Sequence, residues 1–457
     1  MRAFGYRVVD CIIEHLEALP AKSPSRRGTR AALEALLREP PPEHGEDPER
    51  VLETVLARVF THMMHVDHPR FFAFVPGPGN FVGAMADALA AGFNVFAGSW
   101  FSGSGPAQLE LVVLDWLRQL LGLPHSAGGL FVSGGSAANL TALAAARHAL
   151  LGDRTEGAVV YFSDQTHSAV ERALRLLGFL PEQMRRLPSD ERFRLLPDQV
   201  RAAIAADRAA GRRPFLIAAN AGATNTGAVD PLPELAALAR SEGLWLHTDG
   251  AYGAAAALTP EGRALLSGLE EVDSLALDPH KWLFQPFECG CVLLREGGLL
   301  ERAFRILPEY LQDVHRIPGA VNFCDYGLQL TRAFRALKLW MSLKVFGLAA
   351  FRQAIERGLR LAEFAERRLR QSGAWEIVSP AQLAVVCFRY RDPARRPEDL
   401  DRLHLELIER MVAAGYAVLT STVLRGRTVL RLCTINPRTG PEEIEQTVAR
   451  LEEMARL

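Results

Sequence analysis

Short apolar segments alternate with amphipathic stretches between residues 75 and 300, and this alternation constrains the fold more than any other feature of the chain. Consecutive leucine, valine, isoleucine and alanine residues in these segments are typical of strands that are buried on both faces. Because helical stretches separate them, the segments predict an α/β domain with a mainly parallel sheet. Ligands of such domains bind at the carboxyl ends of the strands. The segments are residues 129–133, 158–162, 215–219, 244–247, 274–277 and 291–294.

The flanks of this region have a different pattern. Residues 1 to about 60 predict helices, whereas two strand patterns near residues 384–390 and 429–434 precede a last helix over 441–457. We therefore expect an N-terminal helical arm over residues 1–74, a large α/β domain over 75–345 and a small C-terminal α+β domain over 346–457.

Composition excludes several classes of protein. A net charge of −1 over 457 residues gives no general basic surface for nucleic acid or anionic lipid. No stretch of 18 apolar residues lacks polar interruptions, and the start does not resemble a signal peptide. The six cysteines show no C-x-x-C spacing. The sequence thus predicts a cytoplasmic protein that binds neither membrane nor nucleic acid and holds no metal.

Lys281 is unusual in this chain. The only other lysines are Lys22, Lys338 and Lys344, although lysine and arginine together number 52. Lys281 lies in the apolar-flanked run 277–283, and a desolvated amine can attack a carbonyl, which a guanidinium cannot do. The alternative is a lysine whose aliphatic stem packs on the neighbouring Trp282.

Three further strand ends carry polar groups that complement an amine. Ser133–Asn139 opens a helix with two glycines, which predicts a phosphate-binding N-terminus. Asp249 follows the 244–247 segment and lies 32 residues before Lys281, and His167 follows the 158–162 segment. Pyridoxal phosphate needs a phosphate site, a carboxylate for the pyridine nitrogen and a lysine. The pattern therefore predicts this cofactor.

These residues resemble motifs of the group II pyridoxal-phosphate decarboxylases of fold type I, most closely the aromatic-L-amino-acid branch. The likeness spans nearly the whole chain and implies a homodimer that acts on an aromatic amino acid as its small-molecule substrate, with active sites at the subunit interface. The motifs occur in the family's order, at residues 68–72, 133–139, 163–167, 247–252 and 278–282.

The resemblance assigns roles within the site. Lys281 is similar to the Schiff-base lysine, Asp249 to the partner of the pyridine nitrogen and His167 to the histidine that stacks on the ring. The remaining cofactor-binding positions that it implies are Gly135, Ser136, Thr224, Ala251 and His280. At residue 278 the animal enzymes of this branch have asparagine where this chain has aspartate, and an anion near a phosphate is unfavourable unless it is paired. Asp278 therefore has no assigned role.

Tyr310 lies in a stretch that resembles the family's mobile catalytic loop, where a tyrosine returns a proton to the substrate carbon. Related aldehyde synthases have phenylalanine at this position or asparagine in place of the stacking histidine. Tyr310 and His167 together favour simple decarboxylation.

The substrate side is apolar. The resemblance implies that Phe74, Pro76, Trp100 and Phe101 line the pocket, which suits an aromatic side chain, although the phenylalanines would equally suit a core. An aldehyde synthase, a decarboxylase of a non-aromatic amino acid and a non-catalytic protein that binds a phosphorylated metabolite stay as alternatives.

Overall fold

The computed structural model describes residues 1–75, 77–307, 309 and 316–457. These residues pack into two compact units. One comprises Met1–Phe74, Glu363–Pro380 and Val386–Leu457, and the other comprises Val75–Ala362 and Ala381–Val385. The division into an arm and two domains at residues 74 and 345 stays a prediction. None of the described helices combines the length and the apolar character needed to cross a membrane.

The N-terminal part of the first unit is helical. Two of its helices begin at residues whose side chains cap them. The Thr29 hydroxyl accepts the Ala32 N–H, and the Asp47 carboxylate accepts the N–H groups of the following turn. The elements are α1 (Arg2–Ala18), a 3₁₀ turn (Leu19–Ala21), α2 (Arg30–Leu37), α3 (Pro48–Thr54) and a π-helical turn (Val55–Val59).

The second unit alternates strands and helices, as the sequence predicts. Its elements are α4 (Phe81–Gly92), α5 (Trp100–Leu121), β1 (Gly128–Val132), α6 (Gly135–Leu151), β2 (Ala158–Ser163), α7 (Ser168–Leu176), β3 (Met184–Leu187), α8 (Pro197–Ala209), β4 (Arg213–Asn220), α9 (Leu232–Glu242), β5 (Trp245–Asp249), α10 (Pro260–Leu265), β6 (Ser274–Leu277), β7 (Gly290–Leu294) and α11 (Gly298–Phe304). Short 3₁₀ turns cover Pro181–Gln183, Gly253–Leu258, Leu269–Glu271 and Phe323–Asp325. The helix α12 (Ala336–Ser372) follows, with a break at Gly347, where φ is 75°.

The strands of this unit form one 7-stranded sheet in the order β1-β7-β6-β5-β4-β2-β3. The strand β7 runs antiparallel to β1 and β6, and the other neighbouring pairs are parallel. The predicted α/β class with a mainly parallel sheet is thus confirmed. The register aligns Asn220 of β4 with Asp249 of β5 and Asp249 with Ala276 of β6, which brings these carboxyl ends together at one edge.

Burial explains why these segments are strands. Every residue of β2, β5, β6 and β7 is buried, so both faces of these strands lie against other elements and are mostly apolar. The alanine-rich helix α6 packs closely on the sheet, and it ends at Gly152 in the left-handed conformation.

The C-terminal part of the first unit holds a 4-stranded sheet in the order β10-β11-β9-β8. The segments 384–390 and 429–434, predicted as strands, correspond to its two central members. Phe71 and Ala73 of the N-terminal part share a buried cluster with Val418. The elements are β8 (Trp375–Gln382), β9 (Val385–Tyr390), α13 (Pro397–Ala413), β10 (Thr420–Leu424), β11 (Arg427–Cys433) and α14 (Pro441–Arg456).

Candidate active site

A cavity of about 290 Å³ lies at the edge where the parallel strands end. Loops after β1, β2, β4, β5 and β6 supply its walls, which is the expected position for a ligand in a sheet of this kind. Its lining residues are Ser133, Gly134, Gly135, Ser136, Ala137, Asn139, His167, Ala169, Asn220, Gly222, Thr224, Asp249, Ala251, Tyr252, Asp278, His280, Lys281 and Glu288.

Lys281 enters this cavity from the turn that follows β6. Its backbone N–H donates to the Asp278 carbonyl at 2.9 Å, and its Nζ lies 3.0 Å from Asp278 Oδ2. Trp282 is fully buried, stacks on Tyr252 with ring centroids 5.9 Å apart, and is not among the described residues that line the cavity. The structure therefore places the amine at the cavity, with a carboxylate as its immediate partner.

Gly77 brings another segment against this turn. A Cβ atom at residue 77 would lie 2.0 Å from the Lys281 carbonyl oxygen and 2.1 Å from that of His280. Any side chain there would clash with backbone, so glycine is required for the close approach. Asn80 then caps the start of α4, and its Nδ2 donates to the Phe284 carbonyl at 2.7 Å. The lysine turn is thus held from outside as well as by its own bonds.

The structure explains how residue 278 can be an aspartate where related animal enzymes have an asparagine. Its side chain is 1% exposed, and Oδ1 has no hydrogen-bond partner among the described residues. The cation that it needs is Lys281, and a buried carboxylate without such a partner would be strongly destabilising. The Asp278 carboxylate, which we expected to be unfavourable near a phosphate unless paired, is therefore paired with the Lys281 amine.

His280 has one defined tautomer. Its Nδ1 accepts the Cys289 backbone N–H at 2.9 Å, so the proton of the neutral ring is on Nε2, which lies 3.5 Å from Asp278 Oδ2. Burial lowers the pKa of His280, although the nearby carboxylate acts in the opposite direction. A neutral ring with a donor at the cavity follows, and such a donor suits a phosphate oxygen.

The start of α6 forms the glycine-lined wall. A Cβ at Gly135 would lie 2.9 Å from Asp278 Oδ2 and 3.1 Å from Ala251 Cβ, and a Cβ at Gly134 would lie 3.0 Å from His280 Cε1. These glycines keep the helix N-terminus open, and its unpaired N–H groups favour an anion.

Asp249 is 7% exposed at the end of β5. Its Oδ1 accepts the Ala251 backbone N–H at 3.0 Å, and its Oδ2 accepts Nδ2 of Asn139 at 3.1 Å. These two hydrogen bonds fix the orientation of the carboxylate in the cavity wall.

His167 caps α7 and lines the cavity. Its Nδ1 accepts the Ala169 N–H at 3.2 Å, so Nε2 carries the proton of the neutral ring. Thr224 lies in the loop after β4 and lines the same cavity. The structure thus brings Lys281, Asp249 and His167 together with the predicted positions Gly135, Ser136, Thr224, Ala251 and His280.

Sequence reasoning missed the role of several polar lining residues. Asn220 ends β4, where its Nδ2 donates to Asp230 Oδ2 at 2.9 Å. Burial raises the pKa of Asp230 to about 6, against the hydrogen bonds that it accepts from Asn220 and Leu195. The position of Asn220 at a strand end was a usable signal, whereas the partnership of Asn139 with Asp249 spans 110 residues and leaves no local pattern.

Three of the four predicted substrate residues are described, and none of the three is among the described residues that line this cavity. Trp100 and Phe101 begin α5, where Phe101 is 64% exposed, and neither is among the described lining residues. Phe74 is 55% exposed and is also absent from that lining. Pro76 and Tyr310 lie outside the described residues. The substrate-binding roles of all four, and the role of Tyr310, stay predictions.

The residues present fit the predicted cofactor. An amine suits an aldehyde, a fixed carboxylate suits a pyridinium nitrogen, and a glycine-lined helix N-terminus suits a phosphate. The unpartnered Oδ1 of Asp278 further indicates that the cavity is built to receive a polar ligand.

Comparison with known proteins agrees with this fit. Residues 31–391 match the model of the pyridoxal-dependent decarboxylase conserved domain. An aromatic-L-amino-acid decarboxylase of Bacillus atrophaeus is 49% identical over 457 residues, which cover 100% of this chain and 95% of that enzyme.

Two further similarities bear on the choice between a decarboxylase and an aldehyde synthase. A crystal structure of Oryza sativa TDC with PLP and tryptamine superposes with a TM-score of 0.94 at 31% identity, covering 100% of this chain and 97% of that one. A phenylacetaldehyde synthase of Arabidopsis thaliana is 32% identical over 100% of this chain and 96% of its own length.

Proposed function

This chain belongs to the pyridoxal-dependent decarboxylase family, and from that premise we propose that it converts an aromatic L-amino acid to the arylalkylamine and carbon dioxide, with pyridoxal phosphate as cofactor. The observation that carries the proposal is the meeting of Lys281, Asp249 and the glycine-lined start of α6 around one cavity. The relative from Bacillus atrophaeus supports the aromatic substrate.

Each of these groups has one task. Lys281 would hold the aldehyde of the cofactor through its amine, which an arginine could not do. Asp249 would supply the negative charge that favours a proton on the ring nitrogen. The N–H groups at the start of α6 and the Nε2–H of His280 would hold the phosphate. Bound pyridoxal phosphate supplies a ring that accepts the electron pair left when carbon dioxide departs.

His167 and Tyr310 handle the substrate carboxylate and the returning proton. Nε2–H of His167 is a donor at the cavity, so it orients the carboxylate that will leave. Tyr310 gives a proton to the substrate carbon after the loss of carbon dioxide, an assignment that rests on the resemblance of its loop.

A substrate panel tests the proposal. Tryptophan, tyrosine, phenylalanine, DOPA and glutamate are each supplied to the purified enzyme, and amine and carbon dioxide are measured. We expect both products in equal amounts. The kcat/KM for the best aromatic substrate should exceed that for glutamate by about 100-fold, because the predicted substrate pocket is apolar and would not compensate a buried carboxylate. Preference for glutamate over every aromatic substrate would refute the aromatic assignment.

The second candidate function is that of an aromatic aldehyde synthase, and the similarity to a phenylacetaldehyde synthase supports it. In that reaction oxygen is reduced to hydrogen peroxide while the amine-bearing carbon is oxidised and ammonia is released. Tyr310 and His167 favour the simple decarboxylase, since the related synthases differ at one of these positions. Oxygen uptake in step with product formation by the wild-type enzyme would favour the synthase.

Replacement of Tyr310 by phenylalanine separates the two reactions. We expect amine formation to fall by about 100-fold because the proton donor is lost, while aldehyde, ammonia and peroxide become the main products. Oxygen electrode and peroxide assays measure the change. Tyr326→Phe is the matched control, because Tyr326 is half-buried against Phe323 and should keep the amine product. Unchanged amine formation by Tyr310→Phe would remove Tyr310 from the reaction.

We also propose that the enzyme is a cytoplasmic homodimer. Large exposed apolar side chains occur on the second unit, including Phe93, Phe101 and Phe287, and such surface favours a protein partner. None of the six cysteines forms a disulfide bond, which suits a reducing compartment. Sedimentation at the mass of one chain would contradict the dimer.

A further inference from the structure

A continuous chain of buried hydrogen bonds runs from Asp249 away from the cavity. Asn139 Nδ2 lies 3.1 Å from Asp249 Oδ2, and Asn139 Oδ1 lies 2.6 Å from His247 Nε2. On the other side of that ring, His247 Nδ1 lies 2.9 Å from Ser274 Oγ, which in turn lies 2.8 Å from Trp245 Nε1. Four side chains from α6, β5 and β6 thus stand in line behind the carboxylate.

Only one arrangement of protons satisfies this chain. An ionised Asp249 only accepts, so Asn139 turns its amide N–H to Asp249 and its oxygen to His247. His247 must then donate from Nε2, which leaves Nδ1 as an acceptor for the Ser274 hydroxyl. Indole N–H is a donor only, so Trp245 donates to Ser274 and completes the order.

Burial keeps this order in place. Asn139 and Ser274 are each 1% exposed and His247 is fully buried. Loss of hydration lowers the pKa of His247 to about 4, so its ring is neutral at physiological pH although Asp249 acts in the opposite direction. The parallel register of β5 and β6 aligns His247 directly with Ser274. No described solvent-exposed group intervenes between these partners.

We propose that Asn139 and His247 are positioning residues that hold Asp249 ionised and correctly oriented toward the cofactor's ring nitrogen, with Ser274 and Trp245 fixing the tautomer of His247. This inference rests on the proposed function and assigns further residues to it. The catalytic residue remains Asp249, because Asn139 and His247 act through its carboxylate.

The expected effect is a shift of one proton. Within the Asp249 and ring-nitrogen pair, the proton resides on nitrogen only while the carboxylate is the better stabilised anion. A hydrogen bond to a charged group changes such an equilibrium by about 10- to 100-fold. Removal of the Asn139 donor, or of the His247 donor that orients it, therefore moves the proton from nitrogen toward Asp249.

The test compares His247→Leu with His247→Gln in the holoenzyme loaded with ¹⁵N-labelled pyridoxal phosphate. Leucine lacks the donor, whereas the glutamine Nε2 replaces the Nε2–H of the neutral ring. We expect the ¹⁵N resonance of the ring nitrogen to move from the pyridinium toward the pyridine position in His247→Leu, with kcat reduced by about 10- to 100-fold. His247→Gln should restore most of both.

Two milder substitutions test whether misfolding, and not the loss of a hydrogen bond, causes the expected changes. Ser274→Ala removes one hydroxyl and should move the resonance in the same direction, but less. Thr248→Val is the matched control, because Thr248 is buried on the same strand and its Oγ1 has no hydrogen-bond partner among the described residues. It should leave the resonance and kcat unchanged.

The outcomes separate this inference from the proposed function. A wild-type enzyme that decarboxylates aromatic amino acids while folded His247→Leu and Ser274→Ala keep the pyridinium resonance would overturn the positioning role alone. A wild-type chain that binds the labelled cofactor but releases no carbon dioxide would instead contradict the proposed function.

Discussion

Replacement of Lys281 by alanine should reduce amine formation by at least about 1000-fold and abolish covalent attachment of the cofactor. Lys281 is the only lysine or arginine among the described residues that line the cavity, so no other amine there can take its place. Borohydride reduction followed by peptide mass analysis measures the attachment. In the wild-type enzyme we expect the reduced cofactor on Lys281.

The same variant disturbs a buried ion pair. Asp278 is 1% exposed and loses the cation at 3.0 Å, which should lower the free energy of unfolding by about 1–3 kcal/mol. Addition of Asp278→Asn should recover stability, because the amide needs no counter-charge, and should leave the enzyme inactive. Recovery of stability without activity would show that the loss of the amine, and not unfolding, stops the reaction.

Two further variants sharpen the result. Lys281→Arg keeps a positive charge beside Asp278 but offers no neutral amine, so it should fold well and remain inactive. Lys344→Ala removes an exposed lysine of α12 and should retain full activity. Cofactor found on the chain of a folded Lys281→Ala enzyme after reduction, with turnover close to wild type, would contradict the assignment.

The sheet could be predicted from the sequence because its strands are buried on both faces. The six apolar segments correspond to β1, β2, β4, β5, β6 and β7. The strand β3 escaped the prediction because Met184–Leu187 is short, lies at the sheet edge and contains two arginines. No residue of β3 is fully buried, so this strand leaves no continuous apolar run, whereas β1 at the other edge is almost entirely buried.

The cavity could be predicted in outline for a related reason. Parallel strands deliver the residues that follow them to one edge, so Asp249, Lys281 and His167 could be expected to meet. Side-chain partners could not be predicted in this way. The spacing of Asp278 and Lys281 does not reveal that they pair, and the bond between Asn139 and His247 joins positions 108 residues apart. Such contacts depend on packing across elements.

Substitution of Asp249 by asparagine has the second large expected effect, a fall in kcat of about 100- to 1000-fold. The amide has nearly the shape of the carboxylate but no charge, so a proton on the ring nitrogen loses its counter-ion. Steady-state decarboxylation measures the loss, and the ¹⁵N resonance of labelled cofactor should show the pyridine form. Asp249→Glu should recover part of the rate because it restores the charge at a displaced position.

An asparagine at residue 249 would also be unable to satisfy both of the hydrogen bonds that the Asp249 carboxylate accepts. Ala251 and Asn139 each direct an N–H group at the carboxylate, and an amide has only one acceptor oxygen. One of the two contacts must therefore place donor against donor, or Asn139 must reverse and turn its amide N–H toward His247 Nε2. Asp273→Asn is the matched control. Asp273 lies just before β6, its carboxylate accepts the Leu246 N–H, and it is not among the described residues that line the cavity. Turnover by Asp249→Asn within threefold of the Asp273→Asn control would refute the role of the charge.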